Sequence, residues 1–452
     1  MSAALAATST LQSSAAEPIP TASPAPQYKS PFYALSLSPN GPAFSTFIVD
    51  SLGKSALTEN MAEPPLPFTA PYDVTHTADT ITYRQRTDKA PAPEWAFTFS
   101  EKKFTAHSTN APAHVMHPMT MRFSIESHAT LLGTIDEEGG VRLPALLHFP
   151  EHGTFRITSS ENISLRYDAS HDKANFIEIT FPDSGRYNHH IEYTFEVVSI
   201  YPAANAANLA ANPLYDGYRR DFLSMLQLNP RRRCLANNVA SDACAFTVFE
   251  YAMIAAHLPP LADGLTAISL IRSTLDRYIG GMKGYGMVGY NDSDVIKYDF
   301  LDIYPSLVLT AAICHESEPD LTWTKRNYSV LHSWAEKMIA ADTDGDGLLE
   351  YPVSGNSGSW PEKMVVRPAN WWDTIGFGHK DAYSNALAYK AFLSMAELSE
   401  AAGYPLDAER YRDRAAKIKA IFYKTFYNPE TGVLAGWKSA DGHLHDYYFL
   451  FI

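Results

Sequence analysis

The sequence predicts an α+β multidomain chain, with an antiparallel β-sandwich followed by a set of helical hairpins. Three observations carry this prediction. Hydrophobic residues recur at every second position from about residue 28 to 200, and past Pro202 they recur at helical spacing. Beyond that point the connections alternate between short and long, as paired helices require.

In chain order, residues 1–27 come first; they are rich in Ala, Ser, Thr and Pro and read as a disordered tail. Ser14-Ala15-Ala16 would suit the cleavage end of an export signal, but the basic start and compact apolar stretch are missing. The compartment therefore stays open between periplasmic or secreted and cytoplasmic. Residues 28–200 form the sandwich. Ile191, Tyr193, Phe195 and Val197 fall on one face, with Glu192, Thr194 and Glu196 on the other. Trp95–Phe99, Thr154–Ile157 and Phe176–Phe181 alternate in the same way. Residues 201–241 read as a helical linker containing one helix over about 213–228.

Residues 242–452 read as hairpins. Helices over about 242–257 and 262–280 are joined across His257–Pro260, and those over 302–315 and 321–341 across Glu316–Asp320. A third pair covers 380–402 and 406–427, with Gly403 ending the first helix and Asp407 expected to cap the second. Long connections at 281–301, 342–379 and 428–445 separate the pairs. Helices that run alternately up and down place every long loop on one rim, which makes a cup.

Composition narrows the function classes. The chain of 452 residues is 46% hydrophobic and 19% charged, which is globular. A formal charge of −14 argues against nucleic acid and anionic membrane surfaces as partners, and no run is long and apolar enough to span a bilayer. Cys234, Cys244 and Cys314 show no metal-ligand spacing and read as buried structural thiols. Nothing in the sequence speaks to the oligomeric state.

Candidate chemistry concentrates in residues 342–385. Trp360, Trp371, Trp372 and Asp373 sit in one long loop; aromatic faces stack on the C–H faces of sugars, and a carboxyl can protonate a glycosidic oxygen. Two adjacent tryptophans cannot face the same way, so one platform and one core anchor is the economical split. His379, Lys380 and Asp381 precede the next helix as hydrogen-bond partners for substrate, with helix capping equally open for Asp381. Asn238, Asp242, Asp302 and Tyr304 open the two earlier hairpins on the same rim, and capping is again the alternative for Asp242 and Asp302.

Asp342, Asp344 and Asp346 copy the first half of an EF-hand loop. Where an EF-hand places its bidentate Glu, this chain has Val353, and Glu350 is the available substitute. The turn reads either as a structural calcium site or as a solvated Asp-Gly turn. No other cofactor is required. Gly284–Gly289 is not a phosphate loop, because no strand precedes it and no Lys-Ser/Thr closes it.

The sandwich, the connecting helix, the Asp342–Leu348 turn and Trp371-Trp372-Asp373 before a helix together resemble the six-hairpin glycosidases. They are most similar to bacterial relatives of processing α-glucosidase and mannosylglycerate hydrolase. The resemblance implies an (α/α)6 toroid and an inverting glycoside hydrolase acting on an α-linked oligosaccharide or glycoside. It gives Asp373 the role of general acid and makes carbohydrate the partner. The family toroid has six hairpins, whereas this sequence shows three and, at His445–Ile452, the start of a fourth. The expectation is therefore an N-terminal fragment whose general base lies in a missing later half. The alternatives are a non-catalytic carbohydrate-binding or scaffold protein, and a phosphorolytic or lyase-type relative on the same toroid.

Overall fold

The computed structural model describes residues 25–446 except 54–59, 69, 89–91, 110–117, 125–126, 170–175, 183–189, 202–213, 215–216, 218–220, 224, 227, 230–231, 236–242, 289–297, 353–368 and 372–374. An antiparallel β-sheet region comes first and a helical region follows, as the change in hydrophobic period requires.

One layer of the sandwich is an eight-stranded antiparallel sheet. Its strands run in the order Tyr72–His76, Thr80–Gln85, Glu94–Phe99, Lys103–Thr109, His190–Val198, Gly153–Ser159, Ala145–Phe149 and Thr130–Leu132. Facing it are a four-stranded sheet (Val141–Arg142, Ser164–Ala169, Phe176–Phe181, Met119–Ser124) and a three-stranded sheet (Gln27–Lys29, Tyr33–Leu37, Phe44–Val49). Register puts Phe195 opposite both Phe104 and Ile157, so the apolar face turns inward. Phe104 stacks on Phe195 at 4.3 Å, and Phe44 and Phe47 meet Phe104 from the facing layer.

Six long helices follow among the described residues: α1 (Ala245–Ala255), α2 (Ala267–Ile279), α3 (Ile303–Ser317), α4 (Leu321–Ala340), α5 (Ala382–Ala402) and α6 (Pro405–Phe426). They pair as α1/α2, α3/α4 and α5/α6, and the odd helices pack on one another in sequence. Side-chain composition explains which ring is inner. α1 and α3 each carry one acidic residue in an apolar run, whereas α6 carries nine charged residues and faces water.

One helix end differs from the sequence expectation. Asp407 is not the cap of α6: the helix begins at Pro405 with Tyr404 at its N-cap, because the fixed φ of proline suits the first helical position. Asp407 instead accepts a hydrogen bond from the Tyr328 hydroxyl at 2.8 Å. Gly403 does close α5, at φ +97°. Within 201–241 the described residues include a helical piece at Asp221–Leu223 and a short ladder of Leu228–Asn229 with Cys234–Leu235.

The sandwich and the hairpins share a boundary. Arg156 bonds Asp263 at 2.8 Å, Arg277 donates to the Glu137 carbonyl at 2.9 Å, and Leu132 and Leu146 join the helical core. No helix among the described residues is long and apolar enough to cross a membrane.

Candidate active site

The N-termini of the three inner helices meet, and the long loops are stitched over them. Tyr285 N donates to the Ala243 carbonyl at 2.7 Å, just before α1, and Leu301 N donates to the Ala369 carbonyl at 2.8 Å, just before α3. Ala382 N, at the start of α5, donates to the Gly436 carbonyl at 2.9 Å, while Lys380–Asp381 pairs with Trp437–Lys438. Glycine is required at residue 284, where a Cβ would lie 2.4 Å from the Ala243 carbonyl oxygen. The described parts of the loops at 281–301, 342–379 and 428–445 therefore share one rim.

Three carboxyl groups stand on this rim. Asp302 precedes α3 and is 1% exposed; its carboxylate does not cap its own helix but accepts from Trp371 N at 3.1 Å. Burial pushes the Asp302 carboxyl up to about 8, against that hydrogen bond, and negative charge on Asp381 and Glu250 adds to the rise. Asp381 is fully buried and does cap α5, with Oδ2 accepting from Ser384 N at 2.9 Å and from Asn370 Nδ2 at 3.2 Å. Burial raises this carboxyl as well, against its hydrogen bonds from Ser384 and Asn370. Glu250, in the second turn of α1, is half-buried and likewise raised by desolvation. Helix N-termini favour carboxylate, yet here the loss of hydration outweighs them.

An aromatic pair lies alongside. Phe246, one turn before Glu250 on α1, stacks on Trp371 at 4.8 Å with 18° between the planes. Burial raises the Tyr383 hydroxyl, and the charges of Asp302 and Glu250 raise it further. The structure thus brings together Trp371, Asp302 and Asp381 from the sequence reading and adds Glu250, Phe246, Tyr383 and Asn370. Sequence reasoning overlooked Glu250, although it is the one charge in the apolar run of α1.

The remaining candidates divide. Trp360, Trp372, Asp373, Asn238 and Asp242 lie outside the described residues. Tyr304 turns away from Asp302: its hydroxyl donates to Asp299 Oδ2 at 2.5 Å and accepts from Lys337 Nζ at 2.6 Å. It walls a cavity of about 370 Å³ together with Tyr298, Phe300, Lys337, Thr343 and Glu350.

His379 and Lys380 face the Asp-rich turn. Asp342, Asp344 and Asp346 offer oxygens within 4.8 Å of one another. Lys380 Nζ donates to Asp344 Oδ2 at 2.7 Å and to Asp346 Oδ2 at 2.5 Å, and lies 3.1 Å from Glu350 Oε1. His379 Nε2 is 3.5 Å from Glu350 Oε1, and Arg414 Nη1 is 3.1 Å from Asp342 Oδ2. These carboxylates fit an ammonium already seated among them.

Residues 305–446 match the model of the bacterial α-L-rhamnosidase six-hairpin glycosidase domain. Among solved structures, a rhamnosidase from Klebsiella oxytoca with rhamnose bound is similar at 11% identity and a TM-score of 0.36, over 82% of this chain and 67% of that one. A GH78 family rhamnosidase of Bacillus sp. GL1 is similar at 10% identity and a TM-score of 0.37, over 81% of this chain and 37% of that one. A bacterial glucoamylase complexed with acarbose gives 10% identity and a TM-score of 0.28, over 89% and 67%. The chain thus spans only part of each. A comparison with curated proteins gave no match. A sheet region followed by paired helices thus carries, over residues 305–446, a stretch similar to the six-hairpin glycosidase domain of bacterial α-L-rhamnosidases.

Proposed function

We propose that the rim cleaves an α-linked glycoside with inversion, and that Asp373 donates the proton to the leaving oxygen. The observation that supports this most is the meeting of three inner-helix N-termini beneath the Phe246–Trp371 stack. It sets carboxyl groups beside an aromatic face that suits a sugar ring. Asp373 stands two residues beyond Trp371 in the sequence. The resemblance assigns the water-activating base to later hairpins of the family toroid, beyond the three described here. Asp302 and Asp381 are too buried to reach substrate, and they would fix Trp371, Asn370 and the start of α5 in place. Since the matching family model is that of α-L-rhamnosidases, an α-L-rhamnoside heads the substrate panel, followed by α-glucosides and α-mannosides.

Glu250 supports a second reading of the donor, because it is half-buried, raised by desolvation and one turn from Phe246. Asp373→Asn and Glu250→Gln, each assayed on a substrate with a poor leaving group and on an activated aryl glycoside, separate the two. The donor's variant should lose far more activity on the poor leaving group. Equal losses on both substrates would remove that residue from the donor role.

A further inference from the structure

The Asp-rich turn has the backbone of a cation loop. Gly345 and Gly347 take positive φ, at +78° and +103°, and the Asp side chains turn inward to cap backbone amides. Asp342 Oδ1 accepts from Gly347 N at 3.1 Å, Asp344 Oδ1 from Asp346 N at 3.0 Å, and Asp346 Oδ1 from Leu348 N at 2.9 Å. One oxygen of each carboxylate is thereby used to fold the turn. The second oxygen of each is bound by a cation of the chain itself.

An ammonium has three N–H donors and no acceptor. Lys380 Nζ faces three carboxylate oxygens from three residues, on Asp344, Asp346 and Glu350, at 2.7, 2.5 and 3.1 Å. Its side chain is 8% exposed and that of Glu350 is 4% exposed, so the group is buried and fully partnered. The fourth carboxylate, Asp342, is held by Arg414. Calcium demands six to eight oxygens, and a divalent ion here would need to displace a buried ammonium from three anions.

The ammonium is also well placed to position the rim. Lys380 and Asp381 are consecutive residues of one short strand, so their side chains leave on opposite sides. Asn385 of α5 adds a second tie, accepting from Leu349 N at 2.7 Å and donating to the Leu349 carbonyl at 3.0 Å.

We propose that Lys380 is the resident cation of the Asp-rich turn, filling the place of the calcium ion in an EF-hand half-loop and fixing the start of α5 beneath the rim. Removing the ammonium leaves Asp344, Asp346 and Glu350 as an open oxygen cluster, so the neutral variant should acquire a divalent-ion response that the native chain lacks. This holds whatever sugar the rim takes.

The test is thermal unfolding and calorimetric titration of the full chain with calcium chloride. The native protein should show no calcium-dependent rise in Tm and no binding heat at millimolar calcium. Lys380→Met should unfold several degrees lower, and calcium should restore much of the loss. Adding Asp344→Asn to Lys380→Met should abolish the rescue. If Lys380→Met does not fold, Glu350→Gln removes one of the three negative charges while leaving the ammonium, and should lower Tm with no calcium response. A native Tm that climbs with calcium would overturn the proposal. So would a Lys380→Met protein that unfolds at the native temperature and ignores calcium.

Discussion

Lys380 and Asp381 are neighbours in the chain, yet they belong to two carboxyl clusters built in opposite ways. On one side, Asp344, Asp346 and Glu350 surround an ammonium, and the hydrogen bond from Lys380 holds the Asp344 carboxyl down at about 2. On the other, Asp302, Asp381 and Glu250 form no ion pair among the described residues, and burial lifts all three. The difference lies in burial and counter-charge, not in the residue type. A carboxyl that must carry a proton near neutral pH has to be kept from cations, while one that holds a turn together has to be given one. Of the second cluster only Glu250 is exposed enough to meet a ligand, while Asp302 and Asp381 hold the rim beneath it.

The largest effect that would sharpen this contrast is on catalysis. If the donor belongs to the unpaired rim, Asp373→Asn should lower turnover of a poor-leaving-group glycoside by roughly two to four orders of magnitude. Folding should hardly change, as judged by circular dichroism. Normal turnover on both substrate types would move the chemistry elsewhere. The next effect concerns stability in the paired cluster. Lys380→Met takes the ammonium away from the buried Glu350 carboxylate, and denaturant unfolding should register a loss of about 3 kcal/mol. A loss under about 0.5 kcal/mol would mean that this cluster is solvated rather than structural.

Substrate affinity should respond more modestly. Trp371→Ala removes the partner of Phe246 and the proposed sugar platform, and should raise KM by about tenfold, an energy near the upper end for a stacking contact. An unchanged KM would make Trp371 a core anchor. A separate test is a pH signature with opposite sign in the two clusters. Asp302 rises from 3.8 unfolded to about 8 folded, so its stabilising contribution is full below about pH 4 and is lost as pH climbs through 8. Asp344 falls from 3.8 to about 2, so its contribution is present above about pH 4 and disappears as pH drops through 2. Asp302→Asn should therefore flatten the decline in Tm between pH 4 and 8 while leaving the acid limb alone. An unaltered profile would mean that Asp302 titrates normally.

Much of the fold was legible in the sequence because its signals are local. Alternation such as Ile191, Tyr193, Phe195 and Val197 is written in adjacent residues, and so is the contrast between tight turns and long loops. Asp302 and Asp381 were readable as rim residues because each immediately precedes a helical pattern. Which of them caps was not readable: Asp381 bonds Ser384 three residues on, whereas Asp302 reaches Trp371, distant in the chain. Glu250 was missed because a single acid inside an apolar helix carries no spacing pattern. The pairing of Lys380 with Asp344 and Asp346 spans more than thirty residues and depends on tertiary packing, to which periodicity is blind. Asp407 was misread as a cap because its residue type outweighed the neighbouring Pro405.

The two-residue strand at Lys380–Asp381 sets a limit on how loop length can vary along this rim. Side chains of a strand alternate, so inserting or deleting one residue between His379 and Ala382 would reverse the pair. The ammonium would then enter the carboxyl group at the head of α5, and the Asp would be pushed into the acidic turn. Both environments would be spoiled by one change in spacing. Gly345 offers the contrast, since nothing lies within 4 Å of a Cβ built there and extra residues would project into solvent. A library that varies the 342–385 region should therefore accept added length at the tip of the Asp-rich turn and reject it a few residues before α5.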